Sequence, residues 1–193
     1  DAVVLFNSGF AANQALCQAL FASTGEIIAD KFMHASFIEG ALASHGNLRR
    51  FAHNDTAHLK TLLTKCEGPN RLIASEGVFS MDGDSPDVNA LVSCAKQSDS
   101  WLMLDDAHAF GVTGDNGLGS VETFGLKQQD CQIVMGTFGK AVGTAGAFVA
   151  GSHSLIDYLV NYARHYIYST AFPPAQAVAT IYALNCVTTG SQR

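Results

Sequence analysis

Short β-rich runs alternate with segments of helical period along the whole chain, and this alternation constrains the fold more than any other feature. Strands are expected at "EIIAD" (26–30), "LRRFAH" (48–53), "RLIASEG" (71–77), "WLMLDDA" (101–107), "CQIVMGT" (131–137) and "GAFVAG" (146–151). Helices are expected at 10–22, 34–45, 56–66, 87–98, 153–165 and 173–188. Such alternation gives an α/β fold with a mostly parallel sheet and helices on both faces. The apolar runs in "WLML" and "CQIVM" suit strands covered on both sides. The chain has 193 residues, 48% of them apolar, with no repeat, low-complexity stretch or linker, so residues 1–193 are expected to form one domain.

Ligands of open α/β sheets bind beyond the carboxyl ends of the strands. Past 26–30 comes His34, past 71–77 Ser80, past 101–107 His108, and past 131–137 Lys140. Four polar groups with chemical uses thus fall on one edge. Lys140 stands in "IVMGTFGKAVGTAGAFVAG", flanked by Gly136, Gly139, Gly143 and Gly146. Glycine removes the Cβ that would block a ligand's approach to the backbone; a tight turn with a solvated lysine would read the same way. A phosphate-cradling nucleotide loop is excluded, since it needs Gly where Val134 stands and Ser or Thr where Ala141 stands. The remaining use of a desolvated lysine is as an amine nucleophile that forms a Schiff base with an aldehyde, which points to pyridoxal phosphate.

That cofactor also needs a carboxylate, a stacking face and a phosphate cup. In "LMLDDAHAFG" two aspartates end an apolar strand, where an unpaired acid is costly. Alternation turns Asp105 and Asp106 to opposite sides, so one is expected to face a protonated pyridine nitrogen and the other a turn. Two turn-forming aspartates are the plainer alternative. His34 opens a helix, where its imidazole can stack on a ring or simply cap. "NSGFAANQAL" sets Ser8, Gly9 and Phe10 before an apolar helix whose free N–H groups suit a phosphate or an ordinary N-cap. Ser80 and Thr137 offer hydroxyls to the phosphate or to a ring oxygen.

A net charge of -6 argues against nucleic acid or an anionic membrane as the main partner. The five cysteines are scattered with no CxxC pair, which fits core packing in a reducing cytoplasm better than disulfides or zinc. No apolar run reaches membrane-spanning length and no leader is seen. The chain enters "AVVLF" straight from Asp1 and stops at "TTGSQR", as expected of a piece of a longer protein.

Taken together, "TFGKAVGTAG", "DDAH", "SEGVFSMDGD", "DKFMHAS" and "SGFAAN" resemble the α-oxoamine synthases, pyridoxal phosphate enzymes of fold type I. The resemblance runs from about Asn7 to Ala177 and includes "RRFAHND" and "YIYSTAFPPAQA". It implies the large cofactor-binding domain of that fold, with a seven-stranded sheet. It makes Lys140 the Schiff-base lysine, Asp105 the pyridinium partner, His34 the stacking residue and His108 the partner of the ring hydroxyl. Gly9 and Phe10 would lie by the phosphate, Thr137 would help hold it, and Ser80 would hydrogen-bond the cofactor. The resemblance further implies a decarboxylative condensation of L-alanine with an acyl thioester in biotin synthesis. Glycine C-acetyltransferase or 5-aminolevulinate synthase activity is the alternative. A non-catalytic partner subunit would have lost the lysine, and Lys140 is present. Tyr168, Ser169 and Thr170 would lie near a homodimer interface, and an N-terminal segment and a C-terminal small domain would supply further substrate contacts. Where many family members read "GDxAPL", this chain has "GDSPDV" (Gly83 to Val88), a tolerated loop change.

Overall fold

The computed structural model describes residues 1–190. Seven strands form one sheet: β1 (Ala2–Phe6), β2 (Glu26–Asp30), β3 (Asn47–Phe51), β4 (Arg71–Glu76), β5 (Trp101–Asp105), β6 (Ile133–Thr137) and β7 (Ala147–Gly151). Their order is β1-β7-β6-β5-β4-β2-β3. The pairs from β6 through β5, β4 and β2 to β3 are parallel, while β7 runs antiparallel to both β1 and β6. The expected α/β architecture with a mostly parallel, seven-stranded sheet is therefore present.

Eight helices complete the described chain: α1 (Gly9–Leu20), α2 (Ala35–Leu42), α3 (Thr56–Leu63), α4 (Val88–Gln97), α5 (Ser120–Thr123), α6 (His153–Tyr162), α7 (Arg164–Ile167) and α8 (Pro174–Thr189). Two separate apolar cores show why the central strands read as unbroken apolar runs. Met103, Ala74, Leu72, Ile133 and Met135 pack on one face with residues of α1 and α2. Leu102, Leu104 and Ile73 pack on the other face with residues of α3 and α4. Successive side chains of a strand point to opposite faces, so a strand covered on both faces must be apolar at every position.

Three details depart from the expected elements. β1 was not among the expected strands; it forms an edge that buries Val4 and Phe6 and leaves Val3 and Leu5 exposed. The single helix expected at 153–165 breaks at Ala163, whose backbone is extended. Four of the five cysteines are buried as expected of core residues, but Cys186 on α8 is exposed. No helix among the described residues is long and apolar enough to cross a membrane.

Candidate active site

A cavity of about 180 Å³ opens at the carboxyl ends of β4, β5 and β6, lined among others by Gly9, His34, Asp105, His108, Thr137 and Lys140. The edge rule for parallel sheets is thereby met: each strand delivers its last residue, or the turn after it, to the same place. Strand alternation chooses the side chains. Met103 packs on the α1 face of the sheet, and Asp105, two residues on, keeps that side and accepts a hydrogen bond from Asn13 of α1.

Asp105 forms the floor of the cavity at 3% exposure. Its Oδ2 accepts from Asn13 Nδ2 at 2.9 Å and its Oδ1 from the Ala107 N–H at 3.0 Å. Burial raises its pKa, while the Asn13 and Ala107 donors and the charges of Lys140 and His34 oppose the rise. Asp106 turns away, and its Oδ2 accepts from the Ser120 N–H at 2.7 Å. Burial pushes the Asp106 carboxyl up to about 6. A Cβ on Gly77 would stand 2.0 Å from Asp106 Oδ1, and one on Gly119 2.4 Å from Oδ2, so both glycines make room for this carboxylate. One aspartate meets the cavity and the other a turn.

Lys140 reaches the cavity from the turn between β6 and β7. Its Nζ lies 2.6 Å from His108 Nε2. With Nζ as an ammonium, which can only donate, His108 receives at Nε2 and carries its own proton on Nδ1. Burial of the amine lowers the Lys140 pKa, against the pull of Asp105 and Glu76; burial and then Lys140 itself lower that of His108. The expected enclosure of the lysine is only partial: Lys140 as a whole residue is exposed, and burial acts on its amine.

The glycines around Lys140 were expected to admit a ligand, and the structure uses two of them differently. A Cβ on Gly136 would meet the Phe148 ring at 2.5 Å, and one on Gly146 the Phe172 ring at 2.4 Å. Gly146 also has φ +101, a conformation that L side chains rarely adopt. These residues let aromatic rings pack against the turn. Thr137 locks it, its hydroxyl donating to the Gly146 carbonyl at 2.9 Å and accepting from the Gly139 N–H at 3.2 Å.

His34 caps a helix and also borders the cavity. It is the N-cap of α2, with Nδ1 accepting from the Ser36 N–H at 3.2 Å, and its side chain also lines the cavity. Ser8 caps α1 by accepting from the Ala11 N–H, which leaves Gly9 and Phe10 at the cavity wall. Ser80 is not brought into the cavity. The turn that holds it closes on itself, with Phe79 N–H bonded to the Asp84 carbonyl and Gly83 N–H to the Phe79 carbonyl, and Ser80 stays exposed.

Three polar lining residues escaped the sequence reading: Asn13, Ser36 and Glu76. Glu76 closes the apolar β4 run as Asp105 closes β5, and the two are register partners. The argument that singled out "DDAH" applies equally to "SEG". Burial first, then the nearby Asp105, raises the Glu76 pKa to about 8. Asn13 was detectable as a polar residue on the buried face of α1, between Ala12 and Leu16.

The donor set fits pyridoxal phosphate. Each Asp105 oxygen accepts one hydrogen bond and so retains capacity for a ring N–H, while an imidazole and an amine face the same cavity. Asn13 Oδ1 is buried with no partner, so the wall itself retains an unused acceptor.

Comparison with known proteins agrees with this geometry. The model of the family "Aminotransferase class I and II" matches residues 1–189. An 8-amino-7-oxononanoate synthase of Saccharophagus degradans is 47% identical over 186 residues, covering 96% of this chain and 47% of that protein. One of Chromobacterium violaceum is 49% identical over 193 residues, covering 100% of this chain and 50% of that protein. Among solved structures, an 8-amino-7-oxononanoate synthase from Francisella tularensis superposes with a TM-score of 0.87 at 34% identity, over 98% of this chain and 54% of that one. A serine palmitoyltransferase from S. paucimobilis with bound PLP and myriocin superposes with a TM-score of 0.93 at 30% identity, over 98% of this chain and 48% of that one. The chain spans about half the length of the curated relatives it matches.

Proposed function

Because the chain belongs to the aminotransferase class I and II family, we propose that it is the cofactor-binding part of a pyridoxal phosphate-dependent 8-amino-7-oxononanoate synthase. The reaction joins L-alanine to a pimeloyl thioester and yields 8-amino-7-oxononanoate, CO₂ and the free thiol, with CoA or a carrier protein as the thiol. One observation carries the reading: a buried carboxylate, Asp105, and an amine paired with an imidazole, Lys140 with His108, face one cavity at the carboxyl edge of a parallel sheet.

When bound, pyridoxal phosphate supplies an aldehyde for amines and a protonated ring that draws electrons from the α-carbon. Asp105 would hold the ring nitrogen protonated; buried and already fixed by two donors, it needs no reorganisation to do so. His34 would lie against the ring, and Gly9, Phe10 and Thr137 would flank the phosphate. Thr137 spends its hydroxyl hydrogen on Gly146, so binding an anion requires that hydroxyl to rotate. Lys140 Nζ would hold the aldehyde carbon and, once displaced by L-alanine, take the α-proton. Its lowered pKa favours the free amine this needs. His108, bonded to Nζ at 2.6 Å, is placed to receive the proton that leaves the ammonium. Ser80 contributes only if its turn opens.

Several exposed apolar residues support a homodimer with the site near its interface. Tyr166, Ile167 and Tyr168 lie together, and α8 buries only Thr180 while exposing Val178, Ile181 and Tyr182. The cytoplasm remains the proposed compartment.

The test is an absorbance scan of the full-length protein with pyridoxal phosphate, followed by L-alanine or glycine. A spectral change with alanine and none with glycine supports this reading. The reverse pattern transfers it to a glycine-using sister enzyme, and no binding of the cofactor refutes it.

A further inference from the structure

Asn13, Ser36 and His34 form a hydrogen-bonded chain that begins at Asp105 and has no assigned role in the reaction. Asn13 Nδ2 donates to Asp105 Oδ2 at 2.9 Å and to Ser36 Oγ at 2.9 Å, and Ser36 Oγ lies 2.8 Å from His34 Nδ1. Asn13, Ser36 and Asp105 are all buried, at 1%, 1% and 3% exposure. Resting on the function proposed above, we infer that Asn13 is a positioning residue that holds Asp105 and, through Ser36, His34 in a fixed relation across the cavity.

The direction of every proton in the chain follows from its first member. An ionised carboxylate only accepts, so Asn13 must turn its NH₂ and not its carbonyl toward Asp105. The second hydrogen of that NH₂ goes to Ser36 Oγ. Ser36 then has one hydrogen left, and the neighbour that can take it is His34 Nδ1. With Nδ1 accepting, a neutral His34 carries its proton on Nε2. The Ser36 N–H, at 3.2 Å from the same nitrogen, acts in the same sense. The charge of Asp105, relayed through Asn13 and Ser36, thereby favours the same tautomer of His34 as the backbone cap does. The arrangement also explains why Asn13 Oδ1 is left without a partner: both amide hydrogens are committed on the other side, and the carbonyl goes unpaired so that the carboxylate is served. An unmatched buried acceptor of this kind is costly and is kept where the rest of the network requires it.

Two measurements on the full-length protein test the chain. In the cofactor-free protein, ¹⁵N spectra of the histidine rings should show His34 as the Nε2–H tautomer. Asn13→Ala leaves Ser36 Oγ without a donor, and the Nδ1–H form of His34 should then appear to supply one. Ser36→Ala keeps the backbone cap, so there the Nε2–H form should persist. In the second measurement, pyridoxal phosphate dissociation constants are determined across a cycle of Asn13→Ala and Asp105→Asn. Asn13→Ala should weaken binding about tenfold when Asp105 is present and less than about twofold in the Asp105→Asn background, because groups acting through one another are not additive. A purely structural Asn13 would cost the same in both backgrounds, and that result, or an unchanged His34 tautomer in Asn13→Ala, overturns the inference. Should the unmutated protein bind no pyridoxal phosphate, the functional reading falls, while the tautomer spectra still decide the chain.

Discussion

Asp105 and Asp106 are adjacent and chemically identical, yet one carboxylate closes the floor of the cavity against Asn13 and the other is buried on the Ser120 amide. Their separation predicts different losses. Asp105→Asn should slow α-proton exchange of L-alanine in D₂O by about tenfold to a hundredfold, since a charge-assisted hydrogen bond of about 1.5 to 3 kcal/mol is lost where charge develops. Asp106→Asn should chiefly lower the unfolding midpoint. If Asp106→Asn proves the slower variant in the exchange assay, the assignment of the two carboxylates is reversed.

Among the described residues the Lys140 side chain hydrogen-bonds to His108, and Lys140 is exposed as a residue, so the core does not depend on it. Lys140→Ala should fold with a thermal midpoint close to that of the unmutated protein but lose the fixation of pyridoxal phosphate by borohydride. Mass spectrometry after reduction is the measurement, and a labelled peptide containing another lysine would show that the nucleophile lies elsewhere.

His34 has two roles that a pair of substitutions separates. His34→Ala removes both the α2 cap and the ring, so it should lose about 1 kcal/mol of stability as well as cofactor affinity. His34→Asn restores a capping oxygen and should recover the stability alone. Equilibrium unfolding and a cofactor titration read the two losses independently; recovery of both by Asn would reduce His34 to a cap.

Glu76 gives a pH dependence with a definite sign. Its pKa rises from 4.5 to about 8 in the folded protein, so between those values the folded state binds more protons than the unfolded one, and stability falls as pH rises through the window. Glu76→Gln mimics the protonated form. It should flatten that slope and, at pH 9, unfold at higher urea than the unmutated cofactor-free protein, by at least about 1 kcal/mol. Parallel slopes for the two proteins would show that Glu76 is ionised in the fold.

Gly146 should tolerate no side chain. A Cβ there meets the Phe172 ring at 2.4 Å in a backbone of φ +101, and strain of this kind costs on the order of 1 to 3 kcal/mol. A thermal midpoint for Gly146→Ala equal to that of the unmutated protein would mean that the turn and Phe172 shift together without cost.

Much of the site was legible because strand periodicity is local. The two-residue alternation of "WLMLDD" separates Asp105 from Asp106 without reference to the rest of the chain, and the ends of the apolar runs place His34, His108 and Lys140 on one edge. The helix boundaries were close for the same reason: Ser8, Asp55, Asp87 and Ser152 are N-caps that accept from their own first turns.

Ser80 marks the limit of that reasoning, since its place past a strand end predicted a cofactor contact and the closed turn of residues 79–84 keeps it outside. The glycines around Lys140 mark another, because only the folded chain brings Phe148 and Phe172 against them. The partnership of Asn13 with Asp105 spans 92 residues of sequence. Each crossover of a parallel sheet adds a helix before the next strand returns, so the neighbours across the cavity are far apart in the chain, and no periodicity records them. The amino-acid sequence by itself determined which residues reach the carboxyl edge and on which side of their strands. Which of them meet, and in what protonation state, was decided by the tertiary structure, because packing α1 and α2 on one face of the sheet brings Asn13, Ser36, His34 and Asp105 within hydrogen-bonding distance and takes Asn13, Ser36 and Asp105 out of water.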